Sequence, residues 1–345
     1  MKRERIFYLD FIRTIAVILI LLTHYNAVFL YMNPQRLDKV VLTYKICNLY
    51  IGDFGVSLFF IISGAALMYV YENKFDFKNF YKKRLIGIYP MFWIGYLITF
   101  LFDKIVYHTS YAGVPVKNSI FTILGFDSYF SGIMPTYYII GEWFLGCIIL
   151  AYILFPLLRW GVNKHPLSFG AALLLIYFLT IICYSTPLSK AILIGTRLPE
   201  IFFGMVFMKY FKIVKWKEAV VALIVLVANT IISPNIDSNF QTTYIGIAAF
   251  ILLTFIGKYL KNKVTIRICA WGAKYCYAIF LIHHYVIRRI TDCVDWDNVS
   301  TIGSYGVFAI CIFVVIVMAI MLYYLDCKIK ELVGKMIKKQ RKVGK

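Results

Sequence analysis

The sequence predicts an all-α integral membrane protein: a single bundle of about ten transmembrane helices with both termini cytoplasmic. Three observations predict it. Apolar residues arrive in blocks of about 17 to 25, the length a helix needs to cross roughly 30 Å of hydrocarbon. Of 345 residues 61% are apolar and 16% charged, with a mean hydropathy of +0.76, where a soluble chain carries about 25% charged residues. Lys and Arg concentrate in alternate polar stretches, as expected when cytoplasmic loops hold the basic residues. The short alternating segments of a membrane β-barrel are absent.

The spans follow in order. The first, 7–31, comes after Lys2, Arg3 and Arg5. It holds Arg13 and His24 and lacks a small-residue cleavage site, which distinguishes it from a signal peptide. The second, 54–71, ends before a stretch with five basic residues between Lys74 and Arg84, and the third, 85–102, begins there. The longest connection, Asp103 to Thr136, is external and rich in Tyr, Phe, Gly and Ser; connections of this length are functional or partly helical. Further spans lie at 137–158, 167–185, 191–209, 218–233, 239–259, 268–288 and 302–325. An even number returns the chain to its starting side.

That side carries 26 of the 37 Lys and Arg against six acidic residues, which accounts for the whole net charge of +20. The excess therefore reflects topology and a face suited to anionic lipid, and nucleic acid is not expected as a partner. Residues 1–327 read as one membrane domain without internal repeats, and 328–345 as a basic cytoplasmic tail. The eight cysteines include no C-x-x-C pair and mostly fall in apolar blocks, so they read as small apolar fillers, and no metal site is expected.

A charge inside a bilayer costs at least about 2.5 to 3.5 kcal/mol, so embedded ionisable groups point to function. At 100° per residue, Asp10, Arg13 and His24 share one face of the first span, with Arg13 and His24 about 16.5 Å apart along the axis. Asp10 and Arg13 read either as an i,i+3 ion pair at the interface or as part of a functional face. His24 reads either as an interhelical hydrogen-bonding group or as a base, being the side chain best poised to take a proton near neutral pH. Asp53, Glu142, Trp143, Arg197, Glu200 and His283 form a polar layer towards the outside, able to hydrogen-bond a polar acceptor and excluded from lipid-facing positions. A simple Glu142–Arg197 pair is the plainer alternative. Trp143 and Trp93 could stack on sugar rings or belong to the aromatic belt. Ser63 and Gly64 are expected to let the second helix pack closely on a neighbour.

The R-x10-H arrangement of Arg13 and His24 lies in a span that begins YLDFIRTIAV. It is followed by GVSLFFIISGAAL from Gly55, FYKKRLIGIYP from Phe80, EWFLGCIILAYILFPLL from Glu142, RLPEIFFGMVF from Arg197 and YCYAIFLIHH from Tyr275. This ordered set, spanning nearly the whole chain, resembles the membrane acyltransferase-3 family, whose members move acyl groups, mostly acetyl, onto glycans at or across the cytoplasmic membrane. The resemblance implies that residues 1–327 are an acyltransferase-3-like domain of a multi-pass protein of the cell membrane. It implies that His24 is the catalytic base or acyl relay, and that Arg13, Arg84 and Lys83 bind acetyl-CoA or another acyl-CoA from the cytoplasm. Two departures stand out. Where the family shows a second arginine after Arg84, this chain has Gly87, with Lys82 and Lys83 keeping the patch cationic. The family's S-Y-x-x-Y-L-x-H appears as Cys276, Tyr277, Phe280, Leu281 and His283, and His284, about 100° away, is expected to cap a helix or meet lipid headgroups.

The expected function is thus O-acyl transfer to a hydroxyl of a cell-surface or lipid-linked polysaccharide, with membrane lipid, acyl-CoA and a glycan as partners. A glycan transporter with Arg13, His24, Glu142 and Arg197 lining its path is the rival from another class. The same chemistry with another acyl group, such as succinyl, is the rival within the family.

Overall fold

The computed structural model describes residues 4–185 and 187–343, with side chains to Met336. Among the described residues there are twelve α-helices: α1 (Phe7–Leu30), α2 (Ile51–Tyr71), α3 (Phe77–Val106), α4 (Ser119–Leu124), α5 (Asp127–Phe130) and α6 (Trp143–Lys164), then α7 (Pro166–Cys183), α8 (Ile194–Val206), α9 (Trp216–Ile232), α10 (Ser238–Tyr259), α11 (Lys263–Thr291) and α12 (Thr301–Val343). Local chemistry sets several starts. Asp76 caps α3 by accepting from the Asn79 amide at 2.7 Å, Asn262 caps α11 by accepting from the amides of Val264 and Thr265 at 3.0 Å, and Pro166 opens α7.

Among the described residues nine helical segments are long and apolar enough to cross a membrane. The tenth expected span corresponds to α9, which at 17 residues is shorter. It nevertheless runs the height of the bundle: Lys258 donates to the Val214 carbonyl just before it, and Asn229 near its far end donates to the Cys47 carbonyl at 2.7 Å. The expected boundaries move at α3, which continues to Val106, and at α12, which runs through residue 327 to Val343. Residues 344–345 of the basic tail, and Lys2 and Arg3, lie outside the described residues.

The two ends of the bundle are distinct. At the basic end Tyr69 donates to the Glu4 carbonyl at 3.0 Å, and Lys274 reaches Tyr324 at 3.4 Å. At the opposite end Arg36 pairs with Asp297 at 2.7 Å and Arg289 with Asp103 at 2.6 Å. A short hairpin there, β1 (Lys45–Ile46) and β2 (Leu49–Tyr50), turns through Cys47 and Asn48, both at positive φ as a tight two-residue turn demands. The long connection after α3 is partly helical, as expected. It contains α4 and α5 and folds back, with Asn118 donating to the Pro135 carbonyl at 2.7 Å.

Helix α1 is central and packs on α2, α10 and α11. Helices α2 and α8 approach to backbone contact. A Cβ at Gly64 would overlap the Ile201 carbonyl, and one at Gly204 would overlap the Ile61 carbonyl, so both positions require glycine. The close packing expected at Gly64 is therefore present, while the Ser63 hydroxyl bonds to its own helix at the Phe59 carbonyl.

Candidate active site

Two cavities enter the bundle and meet at His24. The first, about 390 Å³, has Arg13, Lys83, Arg84 and Gly87 towards the basic end and His24, Glu142 and Trp143 at depth. The second, about 670 Å³, opens from the opposite end past Tyr31, Tyr50, Asp53, Arg288 and Asp292 and reaches His24 and His284. Both volumes fall in the range of small-molecule sites. His24, Ile20, Val56 and Trp143 line both cavities and mark where the two meet.

The residues expected to face a phosphate-bearing donor gather in the first cavity. Arg13 pairs with Asp10 at 3.1 Å, as the ion-pair reading expects, and also lines the cavity. Asp10 also takes Arg5 at 2.8 Å. The Arg84 guanidinium lies 5.3 Å from the Tyr152 ring centre and 5.6 Å from that of Phe80, and its Nε is buried without a partner. Lys83 is exposed at the cavity mouth. At Gly87 a Cβ would meet nothing within 4 Å, so the place of the second arginine is open space.

At the junction three elements converge. Helix α1 supplies His24. The extended residue preceding α6 supplies Glu142, whose carboxylate accepts from the Tyr138 hydroxyl at 2.7 Å and from His284 Nδ1 at 2.5 Å. Helix α11 supplies His283 and His284, whose ring centres lie 4.6 and 4.9 Å from that of His24. His283 is fully buried; its Nδ1 donates to the Phe280 carbonyl at 2.8 Å and its Nε2 has no partner. One ligand-type atom from each of His24, Glu142 and His283 lies within 4.8 Å of the others.

The structure corrects two readings. His284 neither caps a helix nor faces headgroups, because Tyr138 and Glu142 cover that flank of α11 and draw its ring into the site. Glu142 does not pair with Arg197. Arg197, fully buried, contacts Glu200 at 3.5 Å, donates to the Ala191 carbonyl at 2.8 Å and sits 5.6 Å from the Trp143 ring centre. Arg197 and Glu200 line neither cavity and stand behind Trp143, whereas Asp53 lines the second. Trp93 lines neither cavity; its indole donates to the Ile123 carbonyl at 3.0 Å. Tyr138 and His284 are the neighbours of Glu142 missed from the sequence, and because residues 138–142 are not helical no spacing rule links them.

The arrangement can hold an anionic group against Arg13 and Arg84, and can accept a proton at His24 from a group entering through the second cavity. Comparison with known families gives a match to the model described as an acyltransferase domain over residues 6–324. No curated protein and no solved structure matches the chain.

Proposed function

We propose, from the premise that this chain belongs to the acyltransferase-3 family and is a membrane acyltransferase, that it transfers acetyl from acetyl-CoA to a hydroxyl of a cell-surface or lipid-linked polysaccharide. The basic end is then the cytoplasmic face of the cell membrane. The donor's phosphates rest on Arg13, Arg84 and Lys83, and its thioester arm extends along the first cavity towards His24. The glycan enters the second cavity, where Asp53, Tyr50 and His284 offer hydrogen bonds and Trp143 offers a ring face. The observation that carries this reading is the position of His24 in the wall shared by both cavities. A transporter needs a continuous path; a transferase needs two chambers meeting at a reactive group.

In the reaction, His24 takes the proton of the acceptor hydroxyl as its oxygen attacks the thioester carbonyl. The carbon–sulfur bond then breaks, and the proton passes from His24 to the departing thiolate, leaving an ester and free CoA. Trp143 and the Arg197–Glu200 pair behind it fix the wall against which the thioester lies.

The test uses purified protein in lipid with labelled acetyl-CoA and a polysaccharide acceptor. His24→Ala is expected to retain its thermal stability and lose acyl transfer by about 10² to 10⁴-fold. Retained transfer would remove His24 from the mechanism. Movement of glycan across the bilayer without ester formation would replace the transferase by the transporter.

A further inference from the structure

We propose that His24, Glu142 and His283 form a binding site for a divalent transition-metal ion of the zinc type, and that the ion, when bound, holds the enzyme inactive. The proposal rests on the reading of His24 as the base and adds a regulation of that same site.

The donor set is the first argument. Two imidazoles and one carboxylate suit zinc, which takes nitrogen and oxygen ligands at about 2.0 to 2.2 Å in a tetrahedron with a fourth position for water. Magnesium and calcium prefer all-oxygen surroundings, which two histidines do not supply. The ligand atoms lie within 4.8 Å of one another, and a tetrahedral zinc asks for about 3.3 Å between them. The required closure is about 1.5 Å. His24 makes no hydrogen bond to another described residue, so its ring can supply most of that movement by rotation.

The supports around the ligands are the second argument. A carbonyl can only accept, so the contact from His283 Nδ1 to the Phe280 carbonyl places the proton on Nδ1 and leaves a lone pair on Nε2. That lone pair is buried, has no partner and belongs to a residue with no exposed surface. Histidine ligands are held in this way, with one ring nitrogen donating to a backbone oxygen and the other directed at the metal. Glu142 is anchored likewise by Tyr138 and His284, which fix its carboxylate without competing as ligands for the same ion. The first cavity reaches His24 and Glu142 and the second reaches His24, so an ion and a water have a route to those two ligands, with His283 buried behind them.

Inhibition follows from valence. A neutral imidazole has one in-plane lone pair. When His24 gives it to zinc, the other ring nitrogen carries the proton, and no site remains to accept one from the acceptor hydroxyl. The ion also occupies the point where the two cavities meet.

The experiment measures Zn²⁺ binding to the purified protein in lipid by equilibrium dialysis, with Co²⁺ as a spectroscopic substitute. One ion per chain is expected, without the thiolate charge-transfer band that cobalt would show on the cysteines. Glu142→Gln and His283→Ala, each confirmed to keep its thermal stability, should bind roughly 100-fold more weakly, a loss at or beyond the 10 to 100-fold seen for outer-shell partners. Acyl transfer by the unaltered protein should fall with the same half-saturation and return when a chelator is added. Binding unchanged in both variants overturns the site. Binding without loss of transfer, or transfer that needs the ion, overturns the inhibitory role. The dialysis requires no acyl acceptor, so it decides the site even where the acyl-transfer reading fails.

Discussion

Installing an arginine at position 87 should improve the use of a phosphate-bearing donor. Positions 84 and 87 are three residues apart on α3, hence neighbours on one face, about 4.5 Å along the axis. A side chain at 87 begins in open space and looks into the same cavity as Arg84. A second guanidinium–phosphate hydrogen bond contributes about 1.5 to 3 kcal/mol. Like-charge repulsion at i,i+3 costs about 0.2 to 0.5 kcal/mol, and ordering the new side chain costs about 0.5 to 1.5 kcal/mol. The balance is about 1 kcal/mol, or roughly a 5-fold lower KM for acetyl-CoA. The assay is initial rate against donor concentration for the native chain and Gly87→Arg, using acetyl-CoA and acetyl-pantetheine, which lacks the phosphates. The gain should appear only with acetyl-CoA. An unchanged or higher KM for acetyl-CoA, or an equal shift for acetyl-pantetheine, would refute the assignment of this cavity to the donor. Gly87→Ala serves as the backbone control: it should raise thermal stability slightly and leave KM alone, because it removes a helical glycine without adding charge.

Two further outcomes concern stability. Arg197→Met strands the Glu200 carboxylate in a site with no solvent exposure and should cost about 3 to 5 kcal/mol, while Arg197→Met combined with Glu200→Leu should recover most of it; a single variant within 1 kcal/mol of the native protein by thermal unfolding would show that the pair is not a buried unit. Burial lifts the Asp127 carboxyl, in the outer connection, to about 6. Its native state therefore binds the proton more tightly than the unfolded chain, so local stability falls as pH rises from about 4 to 6. Hydrogen exchange of residues 107–141 should show that slope, and Asp127→Asn should abolish it; an identical slope in the variant would exclude Asp127 as its source.

The architecture was legible because bilayer thickness leaves little choice of helix length, and because basic residues label one face. Helix α9 deviates in length, with 17 residues where the segments before and after it have 22 and the shortest of the nine has 18. Arg13 and His24 were legible for an energetic reason: an ionisable group at membrane depth is too costly to be incidental. The partners of those groups were less so. A helical wheel gives the direction of His284 but not the identity of the neighbour on that side, and the neighbour is an irregular segment ahead of α6 that carries Tyr138 and Glu142. Arg197 and Glu200 were seen as charges at the correct depth. Their withdrawal behind Trp143 depends on the backbone contact of α2 with α8 at Gly64 and Gly204, a three-dimensional fact that one-dimensional depth does not encode.

The junction between the two cavities is divided between apolar and titratable groups. Three of its four side chains, Ile20, Val56 and Trp143, are apolar, and the fourth is a single imidazole. Beside them, Glu142 on the first cavity is hydrogen-bonded at 2.5 Å to His284 on the second, so the polar crossing between the two cavities consists of acid–base groups alone. The junction of the two cavities is thus apolar except where protons can be taken up or released.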